Sequence, residues 1–298
     1  MERSYQYKKS PSRIVFLVFA VLFLIVIALA CLLPIWHVIM ASLSDPTELN
    51  VSKGLILHPL KNVDTTAYKL ILQYKRLWRG YRNTIIYCVL SCAITGVMTV
   101  IAGYVFSRNR FHFRNTFMML ISFTMLFNGG MIPTYMIIRK LGMLDTIWAI
   151  VVPGCLSVFN IILMRTSMQG ISDSLEEAAR LDGANDFVIM FRIILPLCKA
   201  TFAVIMLFTI VAQWNNYMSA LLYLPQKDNL YPLQMELRKI LYESTKEIQS
   251  ASDVNATSVY ARSIEYAAIV VSTLPILIVY PFVQKYFVTG MTLGAVKQ

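Results

Sequence analysis

Six stretches of this chain carry no Asp, Glu, Lys or Arg: residues 14–44, 83–107, 115–138, 146–164, 200–226 and 266–284. Each reaches the ~18 residues at which an apolar helix can cross a ~30 Å hydrocarbon core. None shows the one-sided stripe of a surface helix, and a helix apolar all round must be buried in lipid or protein. The pattern therefore predicts an all-α membrane protein with six transmembrane helices. Their expected positions are 14–39, 84–106, 116 onward, 147–164, 201–222 and 267–288. Helix 1 is expected to break near Pro34, and helix 3 at Asn128-Gly129-Gly130 and Pro133, leaving 135–141 along the interface. Pro153-Gly154 lies in helix 4, and Pro275 and Pro281 lie in helix 6. In lipid a broken backbone needs polar partners, so interruptions in helices 3, 4 and 6 favour a bundle lining a passage.

Composition agrees with this reading. Only 14% of residues are charged and 57% are hydrophobic, against a charged share near ~25% in soluble domains. The basic lead Lys8, Lys9 and Arg13 precedes an apolar run longer than the 7–15 residues of a signal peptide, so helix 1 is read as uncleaved. The net charge of +11 points to membrane topology rather than to nucleic acid. Arg3, Lys8, Lys9 and Arg13, then Arg108, Arg110 and Arg114, then Lys285 and Lys297 fall on one side; Arg139 and Lys140 fall on the other. Short basic loops stay in the cytoplasm, which places both termini there. The expected layout is a cytoplasmic tail at 1–13, the first span at 14–39, and an irregular external loop at 40–83. A membrane-spanning core follows at 84–288, with a cytoplasmic loop at 165–200 and an external loop at 225–265, and then a tail at 289–298.

Five cysteines, Cys31, Cys88, Cys92, Cys155 and Cys198, lie in or beside apolar runs, and the three histidines are scattered. The odd count argues against a disulfide framework, and the cysteines read as small buried hydrophobes rather than metal ligands.

The informative polar segment is 165–199, with nine ionisable side chains. At roughly 2.5–3.5 kcal/mol each at mid-bilayer it cannot sit there. Within it, Ser174-Leu175-Glu176-Glu177 fits a capping box, with Ser174 as cap and Glu177 reaching back. Glu176 and Arg180 are four apart in the favourable order, and Gly183 suits a left-handed helix end. A two-turn helix over 175–182 follows, with Leu175, Ala178, Ala179 and Asp182 on one face. Helices this short are marginal alone in water, so this one needs a surface to lie on. A second amphipathic piece runs to Ile193, and Pro196 suits the first turn of helix 5.

Glu177-Ala178-Ala179, Gly183, Ile193, Leu195 and Pro196 form the pattern E-A-A-x3-G-x9-I-x-L-P. This resembles, without a gap, the EAA loop of type I ABC importer permeases. Leu175-Glu176 and Asp182-Gly183-Ala184 are similar to its oligosaccharide branch, and the ending Thr289-Gly290-Met291-Thr292-Leu293-Gly294-Ala295-Val296-Lys297 resembles the tails of G-type maltose permeases. The likeness runs over about 79–298. It implies the type I ABC importer permease fold and a transport subunit rather than an enzyme, moving an oligosaccharide by alternating access. The partners implied are a second permease subunit, a cytoplasmic ATPase dimer that carries ATP-Mg, an extracytoplasmic solute-binding protein and membrane lipid. No cofactor is expected on this chain, which has no G-x4-G-K-[ST] phosphate loop. The resemblance assigns Glu176, Glu177, Ala178, Ala179, Gly183, Ile193, Leu195 and Pro196 to ATPase coupling. Glu177 is expected to contact the ATPase, and Gly183 to turn the chain back.

A polar and aromatic cluster, Gln213-Trp214-Asn215-Asn216-Tyr217, interrupts helix 5, and Asn128 and Asn160 join it as candidate substrate-path residues. Flat aromatic faces suit sugar rings, and amides in lipid need partners. Helix–helix hydrogen bonding explains the same residues. The 225–262 segment resembles the position of the scoop loop that enters a binding protein's cleft. Alternative cargoes are a polyol or a glycerophosphodiester. An ion-driven secondary transporter is disfavoured, since no acidic or basic residue lies in mid-span.

Overall fold

The computed structural model describes residues 11–127, 129–250 and 256–295, with no β-strand among them. Two compact units are found. One comprises residues 1–71 with 241–271, the other 72–240 with 272–298.

In the first unit, α1 (Pro11–Ser42) is one 32-residue helix that contains Pro34 without a break. A proline forfeits one intrahelical bond, and neighbouring turns absorb that loss in membrane-type helices. Its apolar side chains from Ile14 to Trp36 are almost all exposed, as a lipid-facing span requires. The segment after it is ordered rather than irregular. α2 (Pro46–Val51) starts on an Asp45 cap, and Ala41, Leu49 and Ile56 form a small core with Leu60 and Tyr266. His37 Nδ1 accepts from Ile56 N at 2.9 Å, and Arg262 donates to Leu49 O and Ser52 O at 2.9 and 3.2 Å.

α3 (Thr66–Gln73) leads to α4 (Lys75–Ser107), which is the axis of the second unit. It begins earlier than the apolar run suggests, because Lys75, Arg76, Arg79 and Arg82 occupy its first turns. α5 (Arg114–Leu126) and α6 (Met131–Lys140) follow, sharply bent at the glycine pair. The expected fourth span is two pieces, α7 (Trp148–Val151) and α8 (Val158–Gln169), parted at Pro153-Gly154.

α9 (Asp173–Leu181) and α10 (Asp186–Val188) come next, then a π-helical turn (Ile189–Ile194) and α11 (Leu195–Leu197). The run Asp186–Leu197 meets α12 (Lys199–Trp214) at 86°. Pro196 thus opens the short α11, and the bend at Cys198 separates it from the long helix. α13 (Met218–Tyr223), α14 (Leu233–Ser250) and α15 (Ala256–Ala295) complete the chain. α15 runs through Pro275 and Pro281 as one 40-residue helix, longer at both ends than the apolar run and continuing into the expected tail. The expected external loop is largely helical as well.

Among the described residues, three helices are long and apolar enough to span a membrane, or up to five if each bent pair counts as one. Two cores organise the second unit. One joins Tyr87, Ile138, Ile150, Tyr223, Leu224 and Met235; the other lies under the 165–199 segment. Glycines bring α4 against its neighbours: a Cβ on Gly103 would stand 2.8 Å from Met164 Cγ, and one on Gly96 3.3 Å from Phe202 Cζ. All five cysteines are free.

Candidate functional site

The amphipathic α9 is stopped cleanly at both ends. Ser172, two residues before the expected cap, accepts from Ser174 N at 3.3 Å, and Asp173 opens the first turn, where a negative charge meets the helix dipole. With the cap at Ser172, the third helical position is Leu175, so the box with Glu177 does not form. At the other end Gly183 has φ +83°, Gly183 N donates to Arg180 O and Ala184 N to Ala179 O, both at 3.0 Å. This pair of bonds is the glycine-terminated motif that closes a helix. Asn185 Oδ1 then caps α10 by accepting from Val188 N at 2.9 Å.

Beneath this segment Val100 and Tyr104 of α4, Met164 and Met168 of α8, Ala179 of α9, and Ile189, Met190 and Ile194 form one core, with Ile193 and Leu195 half-buried against it. The faces of α9 therefore differ from the expected ones. Ala179 points inward, Ala178 and Glu177 are exposed, and Leu181 is 90% exposed. Phe187, just beyond the glycine turn, is also exposed.

Glu176 is buried, at 8% exposure. Tyr104 Oη donates to its Oε1 at 3.0 Å, and Arg180 Nη2 does so at 2.7 Å. Arg108, buried directly after α4, places Nε 3.1 Å from Glu176 Oε2 and Nη1 3.1 Å from Asp173 Oδ1. The first is a direct ion pair without hydrogen-bond alignment, since both atoms lack a hydrogen-bonded partner. Asn109 donates to Asp173 Oδ2 at 3.2 Å, and Arg180 also reaches Asp186. Its two carboxylate partners raise the pKa of Arg180, the hydrogen bond to Glu176 most of all, so it stays charged. Arg165 and Arg114 donate to Phe106 O and Ser107 O at 2.9 and 3.4 Å, at the negative end of the α4 dipole. A cavity of about 200 Å³ lies over this network, lined by Arg108, Arg110, Asp173, Glu177 and Arg180 among others.

The expected coupling residues thus divide. Glu176 and Ala179 are buried, Ile193 and Leu195 half-buried, and Glu177, Ala178, Gly183 and Pro196 exposed. Arg108 and Tyr104 belong to the same constellation, although no local motif ties them to it. The single cue in the sequence is the basic Arg108-Asn109-Arg110 at the end of an apolar run, opposite a loop rich in acids.

The substrate-path candidates are only partly brought together. Asn128 lies outside the described residues. Asn160 is buried in α8, and Gln213 is half-buried. Asn215 and Asn216 serve the backbone: Asn215 Nδ2 donates to Val211 O at 2.9 Å, and Asn216 Oδ1 accepts from Ser219 N at 3.1 Å. They cap the break between α12 and α13. Trp214 is buried beside Tyr81, ring centroids 6.2 Å apart. The Arg238 guanidinium lies over the exposed Tyr217 ring at 5.5 Å. The start of the 225–240 segment is tied to α4: Asn83 donates to Asn229 O and Tyr231 O, Tyr87 to Leu230 O, and Thr84 Oγ1 accepts from Leu233 N, at 2.6–3.0 Å. Glu236 is buried there and its carboxyl is raised by burial, against the opposing pull of Lys239 and Arg76.

The chain is similar to known proteins along most of its length. The family described as "binding-protein-dependent transport system inner membrane component" matches residues 81–293. The chain is 40% identical over 276 residues to the polygalacturonan/rhamnogalacturonan transport system permease protein YtcP of Bacillus subtilis, covering 92% of this chain and 96% of that protein. It is 35% identical over 283 residues to Protein LplC of the same organism, covering 95% of each. A crystal structure of a bacterial ABC transporter involved in the import of the acidic polysaccharide alginate contains a chain that superposes with a TM-score of 0.82 at 35% identity, covering 93% of this chain and 98% of that one.

Proposed function

The chain belongs to the family of binding-protein-dependent transport system inner membrane components, with the type I ABC importer permease fold of its carbohydrate branch, and on that premise we propose that it moves an oligosaccharide inward by alternating access. It acts as one of two permease subunits, with a cytoplasmic ATPase dimer that binds ATP-Mg and an extracytoplasmic solute-binding protein that delivers the sugar. Both termini and the 165–199 segment face the cytoplasm. The chain itself catalyses no reaction. The similar proteins named for polygalacturonan/rhamnogalacturonan and for alginate favour a saccharide over a polyol or a glycerophosphodiester.

One observation carries the coupling role: Leu181 stands 90% exposed beside Glu177 and Ala178 on a helix capped at both ends. A leucine exposed at the tip of a stiff polar helix would gain about 1.5–3 kcal/mol if a partner's apolar cleft buried it. In this reading Glu177, Ala178 and Leu181 enter the ATPase. Gly183 turns the chain back, while Ile193, Leu195 and Pro196 seat the segment. Trp214, Tyr217, Gln213 and Asn160 line or support the sugar path.

The test is reconstitution of the whole complex in proteoliposomes with its binding protein. ATP-dependent uptake of a labelled oligosaccharide is expected. Uptake that proceeds without ATP and follows an ion gradient would overturn the reading.

A further inference from the structure

We propose that Arg108 is the positioning residue through which the stroke of α9 reaches α4, with Glu176 as its main counter-charge. This inference rests on the ATPase-docking role of α9 proposed above.

Besides the short link 170–172 back to α8, three routes connect α9 to the rest of the bundle. The covalent route forward passes the Gly183 turn, a π-helical turn and the 86° bend at Cys198. Each of these interrupts the helix, so the path is not one continuous rod. The apolar route is thin, because the only fully apolar side chain that α9 buries is the methyl of Ala179. A single methyl neither fixes the rotation of a helix nor stops it sliding.

The ionic route does both. Asp173 and Glu176 are three apart and so share one face of α9. Arg108 meets both at 3.1 Å, which holds the helix at two points about a turn apart. Tyr104 adds a third tie to Glu176 from the same end of α4. Arg108 is itself held in place, its side chain 9% exposed and its guanidinium 5.4 Å from the Tyr104 ring centroid. A planar guanidinium with several donors in a fixed fork suits this double hold, and a lysine does not reproduce it.

What α4 receives, it passes on. Gly103 brings α4 against Met164 of α8, and Gly96 brings it against Phe202 of α12. The close packing leaves little slack, and protein interiors transmit strain because they are dense. Arg108 is also placed directly at the C-cap of α4, where Arg114 and Arg165 hold the last carbonyls. The end of α4 is thereby stiffened where the load enters.

The test uses the reconstituted whole complex and reads three quantities: complex assembled, ATP hydrolysed, and oligosaccharide moved per ATP. Arg108→Ala is expected to assemble and hydrolyse ATP while uptake per ATP falls about ten-fold. Arg108→Lys is expected to recover part of that ratio. Glu176→Gln, which keeps the volume and the Tyr104 bond, is expected to lower the ratio as well. A plain folding role predicts something else: less complex, with the ratio unchanged in what remains. That outcome, or a parental ratio in both Arg108→Ala and Glu176→Gln, overturns the inference. Leu181→Asp separates the two readings. If it leaves ATPase recruitment and uptake normal, the docking role falls and this inference with it. If it abolishes recruitment while the Arg108 and Glu176 variants keep a parental ratio, the docking role stands and only the Arg108 link falls.

Discussion

Arg108 Nε lies 3.1 Å from Glu176 Oε2, which ties the end of α4 to the face of α9 opposite its exposed leucine. Glu176→Gln leaves the bonds from Tyr104 and Arg180 available but removes the charge facing Arg108. Arg108 then keeps only Asp173, which is half-exposed. The expected loss of stability is about 1–2 kcal/mol, below the full cost of orphaning a buried charge. Thermal unfolding of the detergent-solubilised protein measures it.

Leu181→Asp should leave folding intact, since the side chain is 90% exposed, and should weaken ATPase recruitment. Full burial of a leucine is worth about 1.5–3 kcal/mol, which corresponds to roughly ten-fold or more in affinity. Titration of the purified ATPase against the membrane-embedded permease reads the change, and parental affinity would count against a docking role for this face.

The register of the α9 cap is open to direct measurement. Ser172→Ala removes the side chain that accepts from Ser174 N, at a cost of about 1 kcal/mol. Ser174→Ala loses only the hydroxyl contact with Ser172 and should cost less. Hydrogen exchange of the first-turn amides of α9 distinguishes the two.

Gly103→Val would drive carbon into Met164, whose Cγ stands 2.8 Å from even a first added Cβ. Overpacking of this kind costs about 1–3 kcal/mol. A second change, Met164→Ala, should recover part of the loss by opening the space. Melting temperatures of the single and double variants show whether the two sites are coupled.

Glu236 supplies a pH dependence. Burial raises its carboxyl above the ordinary carboxylate range in the folded chain, so the folded state holds the proton more tightly than the unfolded one. The contribution is favourable below the unfolded pKa and is lost as pH rises through the raised one. Protection of the amides at 233–237 should therefore weaken from acid toward neutral pH. Glu236→Gln should flatten that profile, and a profile identical to the parent's would remove Glu236 as its source.

Much of this architecture can be read from residue order alone. The apolar runs locate the long helices, and Gly183 announces its left-handed turn because a residue without Cβ adopts φ +83° without strain. Other readings go astray for identifiable reasons. Lys75 to Arg82 look like a loop because they are charged, yet they open α4. Pro34, Pro275 and Pro281 look like breaks, yet α1 and α15 run through them. Asn215 and Asn216 look like a polar patch for cargo, and each also bonds the backbone at a helix break.

The sequence by itself determined that a polar, capped helix stands between apolar spans, because charge, capping and helix length are local properties. It also carried the E-A-A and glycine spacing that marks the family. Only the tertiary structure decided which side of that helix is held and which is offered. Successive helical residues point about a third of a turn apart, so neighbouring Glu176 and Glu177 were bound to differ. The choice between them was made by Arg108 and Tyr104, distant in the chain, whose buried charge and hydroxyl required a carboxylate where Glu176 stands.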